Sequence, residues 1–334
     1  MTSKFATLFS VCMALTTLSA GSTCFASDAS PDGNGSWTQR TFQNSYGQRN
    51  YYVYVPQGLR KGTPVPLMVM LHGCGQSAAV FAQSTRMNTL ADQMGFVVLY
   101  PEQDKASNSS NCWNWFLRDN AVRGGGELGI ITGMVDEVRR MIPIHPRHIG
   151  VAGLSAGAAL TSNLIACHSD LFSVGILDAG LEYKAASDIR EAYVAMTQTP
   201  KHDLAATALE GASCTGAGAR MAKLLVIQGA ADPVVNPKNA PRIIEQFTQM
   251  NDLLDDGQKN GSQTSAVIKS EKGQVPGGHA FEVFSYGGNG REQIREVIVD
   301  EMPHAWSGGT GGITFSDPAG PSASQMAAQL LFSF

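Results

Sequence analysis

The segment HPRHIGVAGLSAGAALTSNLIA, residues 145–166, decides how this chain folds. It runs from a short apolar stretch into Gly-Leu-Ser-Ala-Gly, centred on Ser155, and continues into a stretch rich in Ala and Leu. The first stretch has the length of a buried strand, and the second has the length of a helix. The segment therefore predicts a strand, a sharp turn that carries Ser155, and a helix.

The pentapeptide around Ser155 matches the pattern Gly-x-Ser-x-Gly, which arises easily by chance in a chain with 36 glycines. The predicted strand before it and the predicted helix after it give the match weight, because a nucleophile elbow requires both. Gly153 and Gly157 would let strand and helix approach closely at such an elbow. We therefore interpret Ser155 as a catalytic nucleophile; the alternative is a turn serine that only caps the helix.

The rest of the chain alternates short apolar runs with longer helical patterns. The apolar runs predict strands at residues 48–58, 66–73, 95–102, 148–153, 172–180, 223–233 and 295–306. The longer patterns predict helices at residues 77–95, 129–143, 156–169, 239–254 and 323–334. This alternation predicts an α/β protein with a mostly parallel, doubly wound sheet and helices on both faces. The functional loops of such a sheet gather at the carboxyl edge of its strands.

A serine nucleophile needs a base and an orienting acid, and in this type of fold both follow it, first the acid and then a histidine. Asp232 follows the apolar run that begins at residue 223, and His304 follows the last apolar run and precedes a glycine-rich loop. We interpret Asp232 as the acid and His304 as the base. The alternatives are that Asp232 is only a turn or cap residue, with Asp178 or Asp300 as the acid, and that His304 is an ordinary loop histidine.

Ester hydrolysis also needs N–H donors for the negatively charged oxygen of the tetrahedral intermediate. The turn His72-Gly73-Cys74 follows an apolar run and matches the histidine-glycine turn that offers one such donor. The residue after the nucleophile, Ala156, offers the second donor. We therefore predict an oxyanion hole made by the backbone N–H groups of Cys74 and Ala156, with His72 and Gly73 supporting the turn.

The amino-terminal residues 1–26 have the layout of a secretory signal peptide, with Lys4 near the start, an apolar stretch, and small residues before the predicted cleavage site. Residues 27–36 are a polar leader. Residues 37–334 are predicted to form a single catalytic domain without a separate substrate-binding domain. We therefore expect a secreted protein, located outside the cell or in the periplasm of a Gram-negative source.

Four cysteines follow the predicted signal peptide, at positions 74, 112, 167 and 214. An even number of cysteines in an oxidising compartment favours disulfides, although four cysteines allow three pairings. Proximity along the chain favours Cys74 with Cys112 and Cys167 with Cys214. The alternative is a set of buried free thiols.

Charge and motif content exclude several other functions. The formal net charge is −4, and the charges are sparse and mixed, so the sequence predicts neither a nucleic-acid-binding nor a membrane-binding surface. The sequence has no CxxC pair, no HExxH motif and no phosphate-binding glycine loop after its first strand, so we expect no metal and no cofactor. We further expect a monomer whose partner is an ester substrate.

With these residues placed, the chain resembles the polyhydroxybutyrate (PHB) depolymerase-type esterases, which are related to the feruloyl and acetyl xylan esterases within the α/β-hydrolase superfamily. The resemblance runs from about Trp37 to the carboxyl terminus. The motifs that carry it are LHGCGQ (71–76), CWNWF (112–116), PRHIGVAGLSAGAAL (146–160), AYVAM (192–196), GAADPVVNP (229–237), MPHAWSGG (302–309) and FSDPAGPSAS (315–324). Together these motifs are specific, although each alone is weak.

The resemblance implies an α/β-hydrolase fold, with a nucleophile at Ser155, an acid at Asp232 and a base at His304. It also implies a disulfide between Cys74 and Cys112, beside the oxyanion turn. The function implied is that of a secreted serine esterase that hydrolyses short-chain polyhydroxyalkanoate (poly-3-hydroxybutyrate), its oligomers or similar aliphatic polyesters through an acyl-enzyme. The alternative function is that of a feruloyl or acetyl xylan esterase acting on plant-wall esters.

The same resemblance draws attention to three tryptophans, Trp113, Trp115 and Trp306. They lie in loops that could line the mouth of the site and bind a hydroxyacyl chain or an aromatic acyl group. The alternative is that these rings only pack in the core.

Overall fold

The computed structural model describes residues 27–28 and 30–333. The predicted signal peptide, residues 1–26, lies outside the described residues. The strands are β1 (Ser27–Asp28), β2 (Ser36–Asn44), β3 (Gly47–Val55), β4 (Val65–Leu71), β5 (Val97–Pro101), β6 (Ile144–Leu154), β7 (Val174–Asp178), β8 (Lys223–Gly229), β9 (Thr264–Gln274), β10 (Ala280–Gly288), β11 (Arg291–Val299), β12 (Trp306–Ser307) and β13 (Ser316–Asp317). The described residues form an eleven-stranded sheet in the order β1-β2-β3-β5-β4-β6-β7-β8-β11-β10-β9, and β12 pairs with β13 in a separate small sheet.

The centre of the large sheet is parallel, from β5 through β4, β6, β7 and β8 to β11. Antiparallel strands extend both edges, β1 to β3 on one side and β10 with β9 on the other. Every residue of β5 and β7 is buried, because these strands are covered on both faces and their apolar sequences suit that position. The predicted mostly parallel sheet is therefore confirmed.

The helices are α1 (Ala78–Thr85), α2 (Met87–Met94), α3 (Gly126–Met141), α4 (Ala156–Cys167), α5 (Ile189–Gln198), α6 (Leu204–Cys214), α7 (Asn239–Asp256) and α8 (Ala323–Leu331). Apolar side chains of α3, α4, α6 and α7 form one core with the sheet, and those of α1, α2 and α8 form a second core. The helices thus cover both faces of the sheet, as predicted.

The helix predicted over residues 77–95 is divided into α1 and α2. Arg86 separates them, because its φ of 52° is outside the helical range. Ser77 caps α1 by accepting a hydrogen bond from the Val80 N–H, and Gly95 ends α2 with a φ of 78°. The sequence contains both end signals, but the helical pattern continues through Arg86 and does not reveal the division.

Several elements have no counterpart in the sequence prediction, namely β2, the hairpin of β9 and β10, α5 and α6. β9 is exposed along nearly its whole length, so it lacks the apolar run by which the other strands are predicted. α5 and α6 begin at Asp188 and Asp203, whose side chains accept hydrogen bonds from the first turn of each helix. An aspartate before a helix favours a helix start, so both helices begin at a residue type that the sequence displays.

Part of the predicted polar leader contacts the rest of the chain. Ser27 and Asp28 pair with β2, and the Asp32 carboxylate accepts a hydrogen bond of 3.2 Å from the Thr89 N–H of α2. No helix among the described residues is long and apolar enough to cross a membrane.

Two disulfides join the four described cysteines, Cys74 to Cys112 and Cys167 to Cys214. These are the pairs that proximity along the chain favours. The first links the turn after β4 to the loop between β5 and α3, and the second links the carboxyl ends of α4 and α6.

Candidate active site

Ser155 occupies the sharp turn between β6 and α4. Its φ of 56° and ψ of −119° form a conformation that a residue other than glycine rarely adopts. The Ser155 N–H donates a hydrogen bond of 3.0 Å to the Asp178 carbonyl, which holds the turn against β7. The Ser155 side chain makes no hydrogen bond that caps α4. The helix-capping alternative therefore does not explain this serine.

The two glycines of the elbow are required by close packing. A Cβ atom on Gly153 would lie 2.3 Å from the Gly157 backbone, and one on Gly157 would lie 2.2 Å from the Leu71 carbonyl oxygen. Both distances are shorter than the contacts that Cβ atoms make in proteins, so any side chain would push β6, α4 and β4 apart. The glycines thus bring Ser155 close to the turn that follows β4.

His304 and Asp232 are joined by a hydrogen bond of 2.8 Å between His304 Nδ1 and Asp232 Oδ2. Asp232 follows β8 and His304 follows β11, and these two strands are parallel neighbours. Asp232 Oδ1 accepts hydrogen bonds from the Val234 and Val235 N–H groups, at 2.8 and 2.9 Å. Because a carboxylate can only accept, His304 donates from Nδ1, and its Nε2 remains available to accept a proton.

Neither alternative acid hydrogen-bonds to His304 in the described part of the chain. Asp178 is fully buried at the end of β7, and its Oδ2 accepts a hydrogen bond of 2.9 Å from the Ser307 N–H. Burial raises the pKa of the Asp178 carboxyl well above its ordinary value. Asp300 is exposed. The structure therefore brings Asp232, and neither of the alternatives, to the imidazole.

Ser155 and His304 lie at the same edge of the sheet, and each is 8% exposed. Within residues 30–333 no hydrogen bond joins the Ser155 hydroxyl to the His304 ring. Hydrogen bonds between a nucleophile and its base are often long before substrate binds and shorten in the complex. The structure thus supplies the base–acid pair and the strained serine in neighbouring loops.

The turn after β4 is held on both sides of Cys74. The Gly73 N–H donates to Gln76 Oε1 at 2.9 Å, and the Gly75 N–H donates to the Ser110 carbonyl at 2.8 Å. The Cys74 N–H has no acceptor among the residues that the structure describes. The turn is therefore fixed, while the N–H predicted to bind the oxyanion is not used in holding it.

The second predicted donor, Ala156, is the first residue of α4. Backbone N–H groups in the first turn of a helix have no acceptor within that helix, and the helix dipole there favours negative charge. A developing oxyanion beside Ser155 would meet both effects.

His72 supports the oxyanion turn. Its Nε2 accepts a hydrogen bond of 3.1 Å from the Gln103 N–H, so its Nδ1 carries the proton and donates to the Gly73 carbonyl at 2.8 Å. The ring is fully buried, and this burial lowers the pKa of His72 to about 4. His72 is therefore neutral near pH 7, and both of its nitrogens serve to hold backbone.

Comparison with known proteins identifies the family. The family profile described as esterase PHB depolymerase matches residues 49–269. The chain belongs to this esterase family. Poly(3-hydroxyalkanoate) depolymerase C of Paucimonas lemoignei is 32% identical over 264 residues, which are 79% of this chain and 60% of that protein. Feruloyl esterase B of Thermothelomyces thermophilus is 28% identical over 208 residues, which are 60% of this chain and 69% of that protein.

A solved structure shares the fold of this chain. The acetyl xylan esterase from Aspergillus awamori superposes with a TM-score of 0.64 at 18% identity, over 80% of this chain and 94% of that one. The predicted family and the α/β-hydrolase fold are thereby confirmed. The chain spans 60% of the length of the Paucimonas depolymerase that it matches.

A buried carboxylate, Glu127 in the first turn of α3, holds the loop between β5 and α3. Its oxygens accept hydrogen bonds from Gln103 Nε2 at 2.5 Å, from the Asn114 N–H at 2.8 Å and from Asn120 Nδ2 at 3.2 Å. The guanidinium of Arg49 is also near, with Nη2 3.7 Å from Glu127 Oε1. Burial raises the pKa of Glu127, although these contacts oppose the rise. The sequence reasoning missed Glu127, whose one available signal was an acidic residue at a helix start.

The three tryptophans predicted to bind substrate are buried. Trp306 packs edge-on against Phe81, and its indole N–H donates to Ser324 Oγ at 3.0 Å. Trp113 and Trp115 belong to the core beneath the loop before α3. Their burial favours the packing role that the sequence left open.

An aromatic residue that the sequence reasoning did not single out lies against His304. The Phe315 ring meets the His304 ring edge-on, with 5.8 Å between ring centroids, and Phe315 is 38% exposed. A single phenylalanine after a glycine-rich loop carries no sequence signal for this position, because β12 and β13 must first fold to bring it there.

Proposed function

We propose that the chain is a secreted serine esterase that hydrolyses short-chain polyhydroxyalkanoate, such as poly-3-hydroxybutyrate, its oligomers or similar aliphatic polyesters. The observation that carries the proposal is the hydrogen-bonded pair of His304 and Asp232 at the sheet edge that also holds the strained Ser155. The similarity to the Paucimonas depolymerase over 79% of this chain supports the polyester as substrate.

In the proposed reaction, Ser155 Oγ attacks the ester carbonyl while His304 Nε2 takes the hydroxyl proton. Asp232 holds the imidazole by its Nδ1–H and stabilises the imidazolium that forms. His304 then gives the proton to the leaving alcohol, which leaves an acyl-enzyme. Water attacks the acyl-enzyme with His304 again as base, and this releases the hydroxyacid.

The Cys74 and Ala156 N–H groups are the proposed donors to the oxyanion in both halves of the reaction. The Cys74–Cys112 disulfide and the hydrogen bonds on either side of Cys74 support this role, because an oxyanion hole must be rigid before the charge develops. Loss of one such donor typically costs about 10²–10³ in kcat.

Secretion is supported by the layout of residues 1–26 and by the two disulfides. Disulfides of this kind form and persist in oxidising compartments.

A second candidate is a feruloyl or acetyl xylan esterase acting on plant-wall esters. The similarity to feruloyl esterase B over 60% of this chain favours it, and the same triad would serve. The two candidates differ in the acyl group, which is a hydroxybutyryl unit in the first and an aromatic or acetyl group in the second.

The test uses the full chain, exported into an oxidising compartment, together with its Ser155→Ala variant. Four substrates are compared, which are amorphous poly-3-hydroxybutyrate film, 3-hydroxybutyrate trimer, methyl ferulate and acetylated xylan. We expect soluble 3-hydroxybutyrate from film or trimer, and none with Ser155→Ala. Release of ferulate or acetate alone would replace the first candidate with the second. Full activity of Ser155→Ala would remove Ser155 from the mechanism.

A further inference from the structure

The loop between β12 and β13 places an apolar ring beside the proposed base. Phe315 is 38% exposed, and its ring lies edge-on to the His304 imidazole at 5.8 Å between centroids. The base must come within hydrogen-bond distance of the reacting oxygens during proton transfer, at about 2.6–3.2 Å. A substrate bound for reaction therefore comes within reach of the Phe315 ring.

The backbone of Phe315 is strained. Its φ is 59°, which lies in the left-handed region that a bulky residue seldom occupies. Glycine adopts this conformation without strain, and the same loop contains glycines at positions 308, 309, 311 and 312. Strained residues persist where the surroundings fix them, and they concentrate at functional sites.

Two contacts fix the position of this residue. The Phe315 carbonyl accepts a hydrogen bond of 2.9 Å from the Trp306 N–H, two residues after His304. The preceding carbonyl, of Thr314, accepts a hydrogen bond of 3.2 Å from Gln76 Nε2. Gln76 also accepts the Gly73 N–H of the oxyanion turn. The segment with Phe315 is thus tied both to the base loop and to the oxyanion turn.

From these contacts we propose that Phe315 is a specificity-determining residue, whose ring packs against the apolar part of the ester beside the scissile bond. The inference rests on the proposed function and deepens it, because it names the side chain that discriminates among esters. An ester with a methyl-bearing chain on the alcohol side, as in a 3-hydroxybutyrate oligomer, gains contact with the ring. An acetyl ester with a small alcohol gains little.

The test measures kcat/KM of Phe315→Ala and Phe315→Leu on 3-hydroxybutyrate trimer and on ethyl acetate. We expect Phe315→Ala to lower kcat/KM for the trimer about tenfold, mainly by raising KM, and to change the value for ethyl acetate less than about twofold. Phe315→Leu should recover part of the loss on the trimer. Tyr46→Ala is the matched control, since Tyr46 is 50% exposed in the turn between β2 and β3 and should change neither value.

Phe315→Gly separates a role in binding from a role in stability. Glycine accepts the observed φ, so we expect Tm to stay constant or rise by about 1–3 °C while the trimer selectivity falls as in Phe315→Ala. A fall in Tm with unchanged selectivity would make Phe315 a packing residue and overturn the inference. An equal loss on both esters would overturn it as well, because the ring would then act on His304 rather than on substrate.

Fluorophosphonate labelling distinguishes failure of the inference about Phe315 from failure of the proposed function. If the wild-type chain is labelled but its Ser155→Ala variant is not, the proposed nucleophile stands, and unchanged ester selectivity in the Phe315 variants then counts against Phe315 alone. If the wild-type chain neither labels nor hydrolyses any ester, the proposed function fails first, and the inference fails with it.

Discussion

The two sides of the proposed active site are held in different ways. On the base side, Asp232 receives its backbone hydrogen bonds from Val234 and Val235, two and three residues further along the chain. Its partner His304 follows the strand next to its own. Short loops and neighbouring strands thus bring the base and the acid together.

On the oxyanion side, the turn at Cys74 depends on distant segments. Ser110 and Cys112 reach it from the loop between β5 and α3, by a hydrogen bond and by a disulfide. Gln103 holds the His72 ring, and the Glu127 carboxylate holds Gln103. The base side depends on contacts that are close in sequence, whereas the oxyanion side depends on a disulfide and on hydrogen bonds to distant segments. We therefore expect substitutions on the two sides to affect activity and stability differently.

The largest effect is expected on the base side. His304→Ala should lower kcat for p-nitrophenyl butyrate by at least about 10⁴-fold, because the proton acceptor is lost while the fold is kept. Asp232→Asn should also cause a large loss, since the imidazole then loses its acceptor at Nδ1. The double variant should be no slower than His304→Ala, because the two residues act as a unit. A markedly slower double variant would show that Asp232 acts independently of His304.

Removing each disulfide should separate stability from activity. The cysteines of the two bridges are 38 and 47 residues apart, so each bridge contributes about 4 kcal/mol to the free energy of unfolding in the chain-entropy picture. The double variant Cys74→Ser with Cys112→Ser should lose this stability and also about tenfold in kcat, since the oxyanion turn loses its link to the loop.

The matched control replaces Cys167 and Cys214 by serine. This bridge joins the carboxyl ends of α4 and α6, away from the turn, so we expect a similar loss of stability with kcat nearly unchanged. Denaturant unfolding gives the stability, and kcat is measured well below the unfolding temperature. Equal loss of kcat in both double variants would contradict the claim that the first bridge positions the oxyanion turn.

Acid should weaken the oxyanion side through His72. Burial lowers the pKa of its imidazole from 6.5 to about 4. In the unfolded chain His72 therefore takes up its proton near pH 6.5, whereas in the folded protein it does so near pH 4. The stability that neutral His72 contributes is fully present above pH 6.5 and is lost as the pH falls to 4, by up to about 3 kcal/mol.

His72→Asn tests this dependence, because asparagine does not titrate. The stability gap between wild type and His72→Asn should narrow by about 3 kcal/mol between about pH 7.5 and pH 4, as measured by urea unfolding. The pKa of Asp32, which burial raises to about 6, changes stability in the opposite direction, but both proteins share this contribution. A gap that stays constant with pH would show that His72 is not held neutral by the fold.

The same contrast explains how much the sequence reveals. The fold follows from apolar runs and helical patterns, and the base side follows from residues that come directly after predicted strands, so His304 and Asp232 could be found by position. The pairing of Asp232 with His304, rather than Asp178 or Asp300, depends on how neighbouring strands lie, and the sequence left it open.

The oxyanion side was predicted only in part, because its supports are distant in sequence. The turn itself has a recognisable motif, but nothing in the residues around Glu127 indicates that its carboxylate gathers donors from Gln103 and Asn114. Trp113 is an aromatic residue of the type that often binds substrate, but tertiary packing buries its side chain. β9 could not be predicted from the sequence for a different reason, because it is exposed and buries no apolar face.

The smallest effect on kcat is expected for substitution of Asp178. This residue contacts both the serine elbow and the base loop. Its carbonyl accepts the Ser155 N–H at 3.0 Å, and its carboxyl accepts the Ser307 N–H at 2.9 Å, three residues after His304. Burial raises the pKa of this carboxyl and so favours its uncharged form, which an amide of the same shape resembles. Asp178→Asn should therefore keep kcat within about threefold, whereas Asp178→Ala should lower it about tenfold, at unchanged KM, by freeing the base loop.

The rate of fluorophosphonate labelling should follow kcat in these two variants, because labelling also needs His304 positioned to take the proton of Ser155. Equal and large losses in Asp178→Asn and Asp178→Ala would mean that a negative charge is needed at this position. In that case Asp178 would share the role of the acid with Asp232. Near-normal kcat in Asp178→Asn, with slow labelling in Asp178→Ala, would instead show that one buried hydrogen bond holds the base loop to the serine elbow.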